Sequence, residues 1–242
     1  MKITRTKIGA SLFAAAMLVT TTEASAVVSA GDAFIYKDGT AGTEADVTAN
    51  LTNHLTSAAY SVSTGTGLAG SDTLPTLSGF KQVWDVRYNN VTVLTTGDQA
   101  KYLSYLQGGG TLFLMGENVA NFATRDNSIL NFIQLAGGGT MTITSPANTE
   151  TVQGSVATTP NAISTITFLA AGGVANPPGT GTCLTIDNSG KCAAIGFGGH
   201  TLANARSGAL VTVFDVNFLL SGADATSQLF IDNLIQYLTA VL

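Results

Sequence analysis

Short apolar runs alternate along this chain with stretches in which apolar residues return every three or four positions. The clearest run is Leu112 to Met115, four apolar residues between Gly110 and Gly116. A strand covered on both faces shows such a continuous run rather than alternation, and a run this short between glycines reads as strand rather than helix. Just before it, from Asp98 to Gln107, Ala100, Leu103 and Leu106 stand three apart on one helical face. Thr96 and Gln99 have capping-box spacing at its start. Gly108 to Gly110 end it, because glycine takes the left-handed conformation that stops a helix. The unit is helix, glycine turn, buried strand and a polar tip at Glu117 and Asn118.

The same alternation continues on both sides. Ala33 to Tyr36 is a first strand, followed by a helix that Thr43 can cap and whose face carries Val47, Leu51, Leu55 and Ala58, with His54 beside it. Tyr60 to Ser63 alternates as a second strand, and Gln82 to Tyr88 is a third, with Asp85 and Arg87 two apart and so on one side. After the central strand, Asn121 to Asn127 reads as a short loop. A helix follows from about Ser128, with Ile129, Phe132, Ile133 and Ala136 inward, and stops at Gly137 to Gly139. From Thr140 to Gly199 no helical period is visible. Strand-like pieces at Met141–Thr144, Ile163–Leu169, Leu184–Ile186 and Ala193–Phe197 are separated by Gly, Pro and Asn loops. The end returns to the first pattern. Ala209 to Phe214 is a buried strand ending on Asp215 and Asn217, and Asp224 caps a last helix with Ile231, Leu234, Ile235 and Leu238 inward. The expected fold is a three-layer α/β sandwich with a mostly parallel, flavodoxin-like sheet and a β-rich elaboration at about 140–199.

The first residues change the cellular setting. Lys2, Arg5 and Lys7 precede an apolar stretch from Ile8 to Thr20, and Ala24, Ser25 and Ala26 fit a small-residue cleavage site. The apolar stretch is short of the roughly 20 residues a membrane span needs. Residues 1–26 are therefore expected to be a signal peptide, residues 27–242 a single domain, and the mature protein periplasmic or secreted with no membrane contact. Cleavage takes three of the 10 basic and one of the 15 acidic residues, leaving seven and fourteen and a formal charge of −7. That charge argues against a nucleic-acid partner, which needs a basic face. Cys183 and Cys192 flank a strand–turn–strand segment. In an oxidising compartment a disulfide is the expected state, and a metal site is the alternative, short of ligands in a chain with two histidines. No metal or cofactor is expected.

Open α/β sheets bind ligands outside the carboxyl ends of their strands. The strands here end on Lys37 and Asp38, on Asp85 and Arg87, on Glu117 and Asn118, and on Asp215 and Asn217, with Arg125 in the segment after the third. Asp85, Arg87, Glu117, Asn118, Arg125, Asp215 and Asn217 are the ligand-binding candidates, and Glu117, Asp215 and His200 are the candidates for catalysis. Phosphate loops and a Gly-x-Ser-x-Gly nucleophile motif are absent from the sequence.

The order of these elements, with Val83 to Arg87, the triple glycine before Thr111 to Asn118, and Val213 to Phe218 before the last helix, resembles the class I glutamine amidotransferase-like superfamily. More narrowly it resembles secreted bacterial members that lack the catalytic cysteine. The likeness covers roughly residues 32–135 and 205–242. Catalytic members carry a cysteine after the strand matching Leu112–Met115 and a histidine near the end. Here Gly116, Glu117 and Asn118 stand in the first place, and His200 matches the second only loosely. The resemblance thus implies the fold without the amidotransferase chemistry. Two functions follow as expectations. One is an exported, non-catalytic binding or structural module whose partner is an extracellular glycan or a surface protein. The other is a hydrolase, carbohydrate-active in one form, using Glu117 and Asp215 as an acid–base pair with Arg125 orienting substrate.

Overall fold

A computed structural model describes residues 31–39, 41–67 and 74–240. The expected signal peptide lies outside the described residues. The main sheet has seven strands. Five are parallel: β1 (Gly31–Lys37), β2 (Tyr60–Thr66), β3 (Gln82–Asp85), β4 (Thr111–Gly116) and β13 (Ala209–Phe214). Two more, β12 (Ala194–Phe197) and β9 (Thr182–Cys183), join antiparallel, giving the order β2-β1-β3-β4-β13-β12-β9. β4 is the middle strand and is buried at every residue.

The pleat divides the core in two, since successive side chains on a strand point to opposite faces. Phe113 and Met115 join Trp84, Val211 and Val213 under helices α1 (Gly42–Ser57) and α4 (Ala225–Ala240). Leu112 and Leu114 join Val83 and Leu210 under α2 (Thr96–Gln107) and α3 (Val119–Leu135). Trp84 and Phe113 stack across neighbouring strands with ring centroids 4.5 Å apart. Burying a side chain of this size contributes on the order of 2–3 kcal/mol each, which makes the two faces of β3 and β4 the centre of the fold. α1 and α4 are also tied by polar groups, because His54 bonds Asp232 and Gln228, and Asn50 bonds Gln228 and the Leu219 carbonyl.

The β-rich section forms two small antiparallel sheets. One, from β6 (Thr149–Val152), β7 (Thr165–Thr167) and β10 (Thr185–Ile186), packs on the α4 face through Val152, Ile166 and Phe168. The other, from β5 (Ile143–Thr144), β8 (Gly173–Ala175) and β11 (Lys191–Cys192), packs on the α3 face through Val174 and Cys192. The Cys183–Cys192 disulfide is formed, with Cα atoms 5.5 Å apart, and joins β9 of the main sheet to β11. The thiols bridge diagonally, because the register places Ile195 and not Cys192 opposite Cys183. Among the described residues no helix is long and apolar enough to cross a membrane.

Several local expectations are corrected. The segment Asn121–Asn127 is helix rather than loop. α3 starts at Val119 under an Asn118 cap whose side chain accepts from the Asn121 N–H, and it bends at Phe122. Its first two turns look polar because their buried side chains are Arg125 and Asp126, not aliphatics. The capping box of α2 lies one residue earlier than expected, with Thr95 and Asp98 bonding each other's backbone reciprocally. Thr43 does not cap α1; Ala41 holds the cap position with no side-chain bond.

Candidate functional site

The polar strand ends do collect at the carboxyl rim, in two closed groups. The first is centred on Asp85, the last residue of β3. Its Oδ1 accepts from the Arg87 backbone N–H at 3.1 Å and from Arg87 Nε at 2.9 Å, and its Oδ2 accepts from Arg87 Nη2 at 2.7 Å and from the Tyr102 hydroxyl at 2.9 Å. Arg125 reaches the same carboxylate from α3, with Nη2 3.1 Å from Oδ2, while Nη1 and Nε donate to the carbonyls of Thr92 and Met115. Asp98 adds a second carboxylate 3.3 Å from Arg87 Nη2, and the Arg87 guanidinium lies 4.1 Å from the centre of the Tyr36 ring. Asp85 and Arg125 are fully buried. Burial by itself would raise the Asp85 pKa, but Arg125 and Arg87 outweigh it and hold the carboxyl at about 2. Burial drives the Tyr102 phenol well above its ordinary range. This group balances two carboxylates against two guanidiniums and offers a ligand no open face.

The second group lies at the ends of β4 and β13. Glu117 Oε1 accepts from the Val216 N–H, and Oε2 accepts from the Asn118 N–H and side-chain amide. Asp215 is held by four donors: the amides of Leu169 and Ala170 on Oδ2, and the Asn217 backbone and side chain on Oδ1. Asp126 accepts the Glu117 N–H on Oδ1, and its Oδ2 has no partner among the described residues. Burial raises the Glu117 pKa against the amide bonds, and burial pushes Asp126 up to about 7. Arg87 and Arg125 both pair with Asp85, and Glu117 is held by the Val216 and Asn118 backbone amides and the Asn118 side chain. Replacing Glu117 by glutamine leaves one acceptor for three donors at two places. The Glu117→Gln variant is expected to lose about 1–3 kcal/mol, read as a lower urea midpoint.

A loop from the β-rich section covers this second group. The Leu169 and Ala170 amides sit on Asp215, and the Gly172 N–H donates to the Phe214 carbonyl at 2.9 Å. A side chain at Gly172 would put its Cβ 2.1 Å from the Glu117 carbonyl oxygen, so only glycine allows this approach. The chain itself therefore occupies the rim above β4 and β13. An elbow that presents a nucleophile is strained at the nucleophile. Among the described residues the only non-glycines with positive φ are Ala59 and His200, so Glu117 is not held that way. His200 follows β12, which runs antiparallel, and therefore lies at the opposite end of the sheet from Glu117 and Asp215. No three metal-ligating side chains among the described residues are placed to hold an ion.

Sequence reasoning missed Asp98, Tyr102 and Asp126. The first two stand four apart and so share one helical face, and Asp126 follows Arg125 directly, but none belongs to a strand end. The open concavity at the rim lies beside the covering loop. It has a volume of about 460 Å³ and is mainly apolar, lined by Phe168, Leu169, Phe218 and Leu220 with Asp46 and Asp224 at its border. A larger one of about 580 Å³ lies at the other end of the sheet, between Leu74–Lys81 and Gly108–Gly110.

No family model matches the chain, and no curated protein matches it. Solved structures do. A ThuA-like protein from Bacteroides uniformis is 12% identical with a TM-score of 0.55, over 90% of this chain and 95% of that one. A ThuA-like protein from Parabacteroides merdae is 11% identical with a TM-score of 0.54, over 87% and 90%. The exo-β-1,4-mannosidase Op5Man5 from an Opitutaceae bacterium, strain TAV5, is 15% identical with a TM-score of 0.50, over 87% of this chain but 36% of that one. These likenesses show the fold alone: a flavodoxin-like α/β fold shared with the two ThuA-like proteins.

Proposed function

We propose that the chain is an exported, non-catalytic binding or structural module of the cell envelope or extracellular space, akin to members of its fold without a catalytic cysteine. One observation carries this reading: the rim where the fold would place a ligand is filled by Leu169–Gly172, whose amides and glycine fit onto Asp215, Phe214 and Glu117. An acid–base pair needs carboxylate oxygens that can reach a substrate. Glu117 and Asp215 spend theirs on backbone and side-chain amides, which weighs against the hydrolase alternative. The disulfide and the leader-like first 26 residues support an oxidising compartment.

The partner surface is the apolar cleft beside the covering loop, and a glycan is the first class to try, since one structural neighbour is a mannosidase that carries this fold over part of its length. The mature protein is expected to be retained on a cell-wall or exopolysaccharide fraction, and Leu169→Asp, at an exposed position on the cleft, to weaken that retention about tenfold. Pull-down on each fraction measures it. No retention on any fraction removes the glycan-binding form and leaves the structural one.

A further inference from the structure

The two edges of the main sheet differ. β9 offers two residues, one of them fixed by the disulfide. β2 is seven residues long and, among the described residues, pairs with β1 along its full length and with no other strand. Backbone bonds give the parity. Gly67 N–H donates to the Lys37 carbonyl, whereas Lys81 and Val86 donate to the Asp32 and Tyr36 carbonyls from the β3 side. Odd residues of β1 thus face β2, and odd residues of β2 face back. Val62 and Thr64 therefore direct their N–H and C=O groups out of the sheet, and among the described residues nothing bonds them.

Natural edge strands carry devices against pairing: lysines, prolines, bulges or short length. β2 has none of these. From Ser57 to Gly67 there is no charged residue and no proline, and Ser61, Ser63 and Thr64 are exposed. We propose that β2 is a self-association surface, and that two copies of the chain join edge to edge, antiparallel, on a twofold axis through Ser63. In that register Val62 meets Thr64 of the partner subunit and Thr64 meets Val62 of the partner subunit. Each is a hydrogen-bonded pair that exchanges two N–H···O bonds, so the outward groups of both residues are satisfied. A second copy fits this edge for two reasons on the strand itself. The register is self-complementary about Ser63, with small hydroxyl side chains that suit cross-strand contact. The strand is also neutral, so two copies of a chain with net charge −5 meet there without facing like charges. With the other edge only two residues long, the assembly closes at two copies rather than growing into a filament. This surface is independent of the cleft and of any glycan.

Sedimentation equilibrium on the mature protein tests it, and a monomer–dimer equilibrium is expected in the micromolar range. Thr64→Pro removes an N–H that the β1 ladder does not use, so the fold should tolerate it. It is expected to weaken the dimer at least about 100-fold. Thr64→Lys, an edge-blocking charge, should act alike. Ser63 faces its own copy as a non-hydrogen-bonded pair with Cα atoms about 4.5 Å apart, within disulfide reach. The native cysteines are already paired. Ser63→Cys should therefore cross-link to a covalent dimer under mild oxidation, and Ser61→Cys, displaced from the axis, should not. A monomer up to about 200 µM, well above the weak-interface range, would overturn the proposal. So would a dimer indifferent to both Thr64 variants, assembly beyond two copies, or equal cross-linking by Ser63→Cys and Ser61→Cys.

Discussion

Replacing Asp85 by asparagine will lower folding stability by about 3–5 kcal/mol, the usual effect of removing one partner from a buried ion network. Asp85 serves two guanidiniums and a phenol at once, and none of these groups can reach water from its buried position. Asparagine keeps the volume and one acceptor oxygen but removes the charge. Arg125 then keeps only carbonyl partners, and Arg87 keeps Asp98 at 3.3 Å and the Tyr36 ring. Urea unfolding at pH 7 measures the loss. A fall under about 1 kcal/mol would place the pair in the class of exposed ion pairs and contradict the burial argument. The pH dependence has a definite sign. The folded pKa of Asp85, about 2, lies below its ordinary value. Its contribution is present above about pH 4 and is lost as pH falls toward 2.

The second large effect runs the other way with pH. Burial lifts Asp126 and Glu150 to about 7, and each has one carboxylate oxygen without a partner among the described residues. A raised folded pKa means that the folded state takes up the proton more readily. The stabilisation is complete below the ordinary carboxylate range and disappears as pH rises through 7. The domain is therefore expected to be more stable at pH 5 than at pH 8.5, by on the order of 2 kcal/mol for each group. Glu150→Gln isolates one of them. Glutamine can still accept from the Thr185 hydroxyl and the Ala193 N–H, the two bonds of the native carboxylate. The variant should match the parent at pH 5 and exceed it at pH 8.5. Urea midpoints at both pH values read this directly, and a midpoint that rises with pH in the parent would refute it.

The elements legible in the sequence were those whose pattern is made by burial alone. Leu112 to Met115 is apolar because both faces of β4 are covered, so its place in the sheet could be read from four residues. The start of α3 could not be read this way. Arg125 and Asp126 are buried through ion pairing and a backbone bond, so the segment looks like loop when charge is taken as a sign of exposure. The candidate site divides along the same line. The strand-end residues were found because the fold brings strand ends together. Their pairing was not found, because it depends on which helix residue reaches over the rim. Asp85 binding Arg125 rather than Glu117 is a fact of three dimensions. The loop at Leu169–Gly172 left only a glycine as its trace, one of many in the chain.

Strand β13 has one more implication, for the order in which the molecule can assemble. It lies between β4 and β12, yet β4 ends at Gly116, β12 ends at Phe197, and β13 comes after both. While the chain is being made, β4 and β12 cannot be joined, because the strand that separates them does not yet exist. The first half can pair β2, β1, β3 and β4, but it then ends on the raw side of its most apolar strand. β12, which pairs with β9, has no partner among the parallel strands until residues 209–214 arrive, and the small sheet of β6, β7 and β10 lacks the α4 face until residues 225–240 follow. Contacts this distant in sequence close late and slowly, and an exposed apolar edge during that wait invites misassembly between nascent chains. A chain built this way needs its last thirty or so residues before its middle can close. It is therefore suited to being held unfolded until synthesis is complete.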